Sequence, residues 1–396
     1  MSQIPIASRV NDLRPTAINR VLAEVRQLQQ EGRTLVSLMR GQPDTPTPPH
    51  IVEASQRALR DGRTGYADNQ GEPNLRAAVA DKLERTQQLR YDPGTEILIT
   101  DGATCGVHTA LAALIEPGSA VLLPDPIYDA YSSPIALWGG RAARISSRIR
   151  DGRFVLDRAA LEAAGTPKSR LLLLNTPWNP VGTVLHREEL HQVMAFAAER
   201  DLFVLSDEIY ETLVYDGRVH VSPAALNPET RERVLIVNSL SKTYAMTGWR
   251  VGYCAGPAAL IRAMLLILQQ SSRGPATFVQ DAAACALNAD QACVRVMTAE
   301  YQARRDLVVR RLSGIPGVVP LVPEGGLFVM VDIRALGRSS DEVRRFLLHE
   351  AGVVVIHGAA FGPGGEGTLR VSFAGGGTTL EQGLERLRAG LLRWAI

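Results

Sequence analysis

Cysteine is scarce in this sequence and charge is almost balanced. Four cysteines, Cys105, Cys254, Cys285 and Cys293, lie scattered through 396 residues without CxxC spacing, and the seven histidines form no HExxH pattern. This argues against a zinc site or a disulfide framework and fits a reducing compartment. Lys and Arg total 43 against 41 Asp and Glu, a formal charge of +2, so nothing draws the chain broadly to nucleic acid or to an anionic membrane. A small molecule is the expected ligand. No GxxxxGK(S/T) pattern is present, and the one run that matches GxGxxG, Gly362 to Gly367, reads as a turn, so neither a P-loop nor a dinucleotide site is expected. No apolar run approaches the roughly eighteen residues needed to span a bilayer, and MSQIPIASRVNDLRP lacks the basic-then-apolar build of a secretory signal. The most apolar helical segment, 258–268, is interrupted by Arg262 and reads as a buried helix. A cytoplasmic protein without a metal site is expected.

What is present is a large apolar fraction, 45%, enough for one big domain and a smaller one. From about residue 50 to 290, short aliphatic runs alternate with helical stretches. The runs include Ile97 to Asp101, Ala120 to Pro124, Leu171 to Asn175, Leu202 to Asp207, Val234 to Asn238 and Val251 to Cys254. That alternation predicts an α/β fold with a mostly parallel sheet flanked by helices. After about residue 290 the pattern becomes a smaller α+β domain with a charged helix from Ala299 and a strand over 327–332. The expected division is 1–45, an N-terminal segment packing on the small domain; 46–290, the large domain; and 291–396, the small C-terminal domain. The glycine-rich run Gly362 to Gly367 reads as a plain surface turn.

Ligands of parallel sheets bind beyond the carboxyl ends of the strands, and polar residues crowd those ends here. Ser239-x-Ser241-Lys242 is followed by Gly248-Trp-Arg250. A lysine buried among few other cations acquires a nucleophilic amine, while an arginine fork and serine hydroxyls suit phosphate oxygens; an exposed turn with a solvated lysine is the other reading. Asp207 closes an apolar run and needs a partner to stay ionised there. It is either the carboxylate that pairs with a pyridinium N–H or a helix N-cap. Tyr210 is either its neighbour at the ring's phenolic oxygen or a core residue. Gly102-Ala103-Thr104 links a strand to a helix expected over 106–115, so amide hydrogens and the positive helix end make a phosphate cradle.

With Asn179-Pro-x-Gly182, Ser206-Asp-Glu-Ile-Tyr210 and Ser239-x-Ser-Lys242 in this order, the chain resembles, over essentially its whole length, the fold-type I pyridoxal-phosphate enzymes of the class I/II aminotransferase group, bacterial aspartate aminotransferases above all. Stretches such as 325–334 and 220–225 are also similar to arginine:pyruvate transaminases. The resemblance implies the aspartate aminotransferase-like fold, pyridoxal 5'-phosphate as cofactor, and transfer of an amino group from an amino acid to a 2-oxo acid, pyruvate or 2-oxoglutarate. It makes Lys242 the internal-aldimine lysine and proton carrier, with Asp207 on the pyridine nitrogen. Asn179 and Tyr210 take the phenolic oxygen, and Tyr128 stacks on the ring. Gly102, Ala103, Thr104, Ser239, Ser241 and Arg250 hold the phosphate. Tyr66 corresponds to the tyrosine that reaches the neighbouring subunit's phosphate, which implies a homodimer with shared active sites. Arg370 corresponds to the arginine that clamps the substrate α-carboxylate, a structural salt bridge being its alternative, and Gly41 to a backbone contact with the same group. Two rivals use the same cofactor: a β-eliminating C–S lyase, and a non-catalytic sensor.

The chain departs from the family's pattern at three places. Trp178 precedes the asparagine where the family often has Asn or His, and is expected either near the substrate side chain or as a filler of the large domain. Thr104-Cys105 stands where some aspartate-type members carry a lysine. Arg273 either attracts an acidic substrate from the neighbouring subunit or is a surface charge. Arg14 and Arg40 face either the pocket entrance or solvent.

Overall fold

The aliphatic runs become strands of one seven-stranded sheet in the computed structural model, which describes residues 4, 6–11, 13 and 15–394. Its strand order is Ile97–Thr100, Gly252–Ala255, Val234–Ser239, Phe203–Asp207, Ser169–Asn175, Ala120–Asp125 and Arg141–Ser146. Leu171 to Leu174 are all fully buried, because helices cover both faces of a sheet whose strands run mainly parallel. One expectation needs correction. The run ending at Cys254 is antiparallel to both neighbours, Gly252 pairing with Ser239 on one side and Thr100 on the other. A parallel return requires a crossover, and residues 240–251 contain only one helical turn, Leu240–Thr243, and a short 3₁₀ turn.

The second sheet has four antiparallel strands in the order Val319–Leu321, Phe328–Asp332, Thr368–Ser372 and Ile356–His357. The helix expected from Ala299 begins earlier, at Ala292, and runs to Leu312. The amino-terminal helix Ala17–Gln30 starts where the Thr16 hydroxyl accepts the Asn19 N–H. Val21, Val25 and Leu28 on one side of it pack with Leu348, Val354, Ile356 and Phe361. Its Glu24 accepts from Arg344 at 2.7 Å and lies 3.0 Å from His349. Beyond this helix, Val36–Ser37 forms a parallel pair with Val353–Val354.

The Gly362 to Gly367 run is not a plain surface turn. The Gly364 N–H donates to Asp125 Oδ2 at 3.1 Å, and the Ile127 N–H donates to the Phe361 carbonyl at 2.9 Å. Glycine is required for this approach: Gly362 has φ +130°, and a Cβ at Gly364 would lie 2.7 Å from the Asp125 carbonyl oxygen. The glycines therefore dock the carboxyl-terminal part of the chain onto the end of the strand Ala120–Asp125, next to the sheet edge. No helix among the described residues is long and apolar enough to cross a membrane.

Candidate active site

A cavity of about 690 Å³ opens at the carboxyl ends of the central strands. Asn175, Asp207 and Ser239, the last residues of three adjacent strands, all line it. Lys242 reaches it from the turn that follows Ser239. Its amine donates to the Gly41 carbonyl at 2.6 Å, and burial, then Arg250 and Arg370, lower its pKa from 10.5 to about 8. The solvated-turn reading of Lys242 is thereby set aside.

Asp207 is almost fully buried. Its Oδ1 accepts the Ile209 N–H at 3.2 Å and its Oδ2 accepts the Tyr131 hydroxyl at 2.6 Å. One oxygen thus satisfies a local turn, as the capping alternative foresaw, although no regular helix follows it. Burial raises the carboxyl pKa to about 6, so a cation beside it would be stabilising. Tyr210 combines both of its readings: it packs edge-on to Phe328 and also lines the cavity.

At the phosphate turn, Gly102 N-caps the helix Ala103–Leu114, which starts earlier than expected. Arg250 donates to the Thr247 carbonyl at 2.9 Å, and a Cβ at Gly102 would lie 2.7 Å from Arg250 Nη2. Ala103, Thr104, Ser239 and Ser241 line the cavity beside this arginine. Opposite, Arg370 sits between the Phe328 and Phe361 rings, 4.0 and 4.6 Å from their centroids. It donates to Asn179 Oδ1 at 3.3 Å and to the Met39 carbonyl at 2.9 Å, while its buried Nε has no partner. The structural salt bridge considered for it is not formed among the described residues.

Tyr128, Asn179 and Gly41 complete the residues that the sequence pattern brings to this cavity. Tyr66 is not among them: it is 89% exposed, with the Arg273 guanidinium 5.2 Å from its ring. Arg273 itself is exposed. Arg40 is exposed and also lines the cavity, whereas Arg14 lies outside the described residues.

Trp178 does not face the substrate. It is buried in the large-sheet core, edge-on to Phe154, and its indole N–H donates to the Pro126 carbonyl at 2.8 Å. Both residues lie in the irregular turn after the strand Ser169–Asn175, where the indole enters the core and only Asn179 lines the cavity. Trp178→His should leave the substrate profile unchanged and destabilise the fold by about 2–4 kcal/mol; a denaturant titration and a donor panel check the two parts. Sequence reasoning also missed functions for Tyr131, which holds Asp207, and for Phe328 and Phe361, which sandwich Arg370.

A doubly covered, mostly parallel sheet with a lysine, a buried carboxylate and two arginines at its strand ends defines the fold and site of the aminotransferase class I and II family, and the chain belongs to that family, whose model matches residues 33–387. Aromatic-amino-acid aminotransferase 2 of Thermococcus litoralis is 37% identical over 96% of this chain and 97% of its own. An arginine–pyruvate transaminase of Pseudomonas aeruginosa is 37% identical over 93% of this chain and 92% of its own. The crystal structure of an aspartate aminotransferase from Rhizobium meliloti superposes with a TM-score of 0.94 at 33% identity, covering 98% of this chain and 99% of that one. The protein is a pyridoxal-phosphate-dependent aminotransferase, an enzyme that moves an amino group from an amino acid to a 2-oxo acid.

Proposed function

We propose that this cavity carries out both half-reactions, with pyruvate or 2-oxoglutarate as acceptor, and that Arg370 fixes the α-carboxylate of donor and acceptor alike. The observation carrying this reading is a buried guanidinium with an unpartnered Nε, facing the same cavity as the Lys242 amine. A buried cation without a counter-ion is costly, and a substrate carboxylate relieves that cost. Gly41 supplies a backbone contact beside it.

The residues fit pyridoxal phosphate. The cradle of Gly102, Ala103 and Thr104 with Ser239, Ser241 and Arg250 suits the phosphate, Asp207 suits a protonated ring nitrogen, and Asn179 and Tyr210 suit the phenolic oxygen. Tyr128, which lines the same cavity, would cover the ring. When bound, the cofactor supplies an electron sink for the carbanion left at the substrate Cα. Lys242 would hold the cofactor through its amine, and that amine, once freed, would be the base that moves the proton at the substrate Cα. Tyr131 keeps Asp207 aimed at the ring.

The exposed Tyr66 beside Arg273 supports a homodimer in which each Tyr66 reaches the other copy's phosphate. Domains over 46–290 and 291–396, the latter carrying residues 1–45, and a cytoplasmic place of action complete the reading; the four free cysteines support the last.

The test is a visible spectrum of the cofactor-loaded protein during stepwise addition of amino acids without acceptor. Conversion to pyridoxamine phosphate by a subset of them supports the reading; ammonia and pyruvate released without acceptor would instead mark a lyase. The depressed lysine pKa gives a second expected result. The neutral amine is the reactive form, so the rate at which cofactor-stripped protein takes up pyridoxal phosphate should rise with pH and level off above about 8. A rate still climbing towards 10.5, the ordinary lysine value, would contradict it, as read by stopped-flow absorbance.

A further inference from the structure

We infer that the preferred amino donor carries a bulky apolar side chain, aromatic or branched aliphatic, received by a wall of Leu13, Ile18 and Leu22 from the amino-terminal segment and Val107 and Leu137 from the large-sheet side. The inference rests on the transaminase reading above, which places the donor's carboxylate at Arg370 and its amine near Lys242.

Two independent observations lead to it. The first is how the wall is made. Ile18 and Leu22 stand four residues apart on the helix Ala17–Gln30 and so share a face. Val21, Val25 and Leu28 of that helix are buried against the carboxyl-terminal part of the chain, whereas Ile18 and Leu22 remain half-buried and line the cavity. Leu13 and Leu137 are likewise half-buried cavity residues, and Val107 lies on the helix Ala103–Leu114 three residues past Thr104. Apolar surface left open to a cavity favours a ligand that removes it from water.

The second observation is the charge inventory. Among the described residues lining the cavity, the cations of lysine and arginine are Lys242, Arg250, Arg370 and Arg40. The first three are committed to the cofactor and the α-carboxylate, and Arg40 is exposed to solvent. Asp207 is the sole carboxylate among those residues, and it is committed to the ring. His108 adds no charge. It packs edge-on to Trp138 at 5.5 Å, and burial lowers its pKa. The distal carboxylate of an acidic donor would therefore lose water against leucine and isoleucine with only the solvated Arg40 left to meet it, and the distal cation of a basic one would find no free carboxylate among the described lining residues. A phenylalanine or leucine side chain incurs no such loss. An acidic preference would need Arg40 or a cation from outside this inventory, of which the exposed Arg273 is the one to test.

The experiment uses the pyridoxal-phosphate-loaded protein. L-Phenylalanine, L-leucine, L-alanine, L-aspartate, L-glutamate and L-arginine are added singly without acceptor, and the rate of loss of the cofactor's visible band is recorded against concentration. Phenylalanine and leucine should exceed aspartate, glutamate and arginine at least about tenfold in rate over half-saturation. Leu22→Arg should lower the phenylalanine-to-alanine ratio by about 10- to 100-fold. A binding arm needs no turnover: 3-phenylpropanoate should perturb the band at lower concentration than succinate. An acidic or basic donor that equals phenylalanine overturns the inference, and loss of an acidic preference in Arg273→Ala would identify the cation that defeats it. If no donor converts the band, alanine included, the transaminase reading fails. The two carboxylates then still judge the wall, tighter succinate binding overturning it and tighter 3-phenylpropanoate binding upholding it.

Discussion

Lys242→Ala is expected to lower turnover by about 10⁴-fold or more, because a single amine serves as both covalent anchor and proton carrier. No neighbouring group replaces it. Tyr128 and Tyr210 share the cavity, but burial raises both phenol pKa values, which makes them poorer bases at neutral pH. Asp207 holds its hydrogen bonds from Tyr131 and Ile209 and is assigned to the ring nitrogen. Lys242 faces the cavity and its amine ends on the Gly41 carbonyl, so the variant should still fold. Single-turnover spectra with an excess of donor provide the measurement. A residual rate above about one per cent would remove Lys242 from the proton transfer, whereas partial recovery with added methylamine would confirm that an amine is the missing part.

Arg370→Lys should reduce kcat/KM about 100-fold for donor and acceptor alike while leaving affinity for pyridoxal phosphate unchanged. The charge is conserved but the geometry is lost. Arg370 lies on the strand Thr368–Ser372, opposite Met330 and Ile356 on the flanking strands, and its plane is fixed by Phe328 and Phe361. Burial lowers its pKa to about 10, still leaving it a cation at neutral pH. A planar fork meets a carboxylate with two parallel N–H bonds, whereas an ammonium offers a point charge and a different stacking surface. A loss of roughly 2–3 kcal/mol corresponds to the stated factor. Unchanged KM values for both substrates would show that the carboxylate binds elsewhere.

Residues whose function depends on position along a strand were legible in the sequence. Asp207 and Lys242 follow apolar runs at the end where a sheet of this type binds ligands, and Arg250 lies only eight residues past Lys242. Tyr131 was visible only as one of two tyrosines in Pro126 to Tyr131, because its bond to Asp207 joins the 3₁₀ turn Asp129–Tyr131 to a strand end that it meets only in the folded sheet. Ile18 and Leu22 look like any apolar pair on an amphipathic helix; which face meets the cavity is decided by packing against Leu348, Val354 and Phe361. Trp178 stayed open between cavity and core because closeness in sequence to Asn179 says nothing about direction, and the structure settles it as a core residue. The antiparallel strand Gly252–Ala255 was hidden for a related reason, since an apolar run buried on both faces reads the same in either direction.

The pairing of Val36 with Val353 ties together positions roughly three hundred residues apart. Ribosomes make the amino-terminal helix and strand first, yet their packing partners, Leu348 to Phe361, emerge almost last. Contacts of such separation form late and at a high loop-closure cost. The amino-terminal segment therefore spends most of synthesis with Val21, Val25 and Leu28 uncovered, while the seven-stranded sheet can already assemble behind it. Refolding should accordingly proceed in two stages, sheet first and terminal docking second, and the exposed helix face is where a chaperone would bind in the interval.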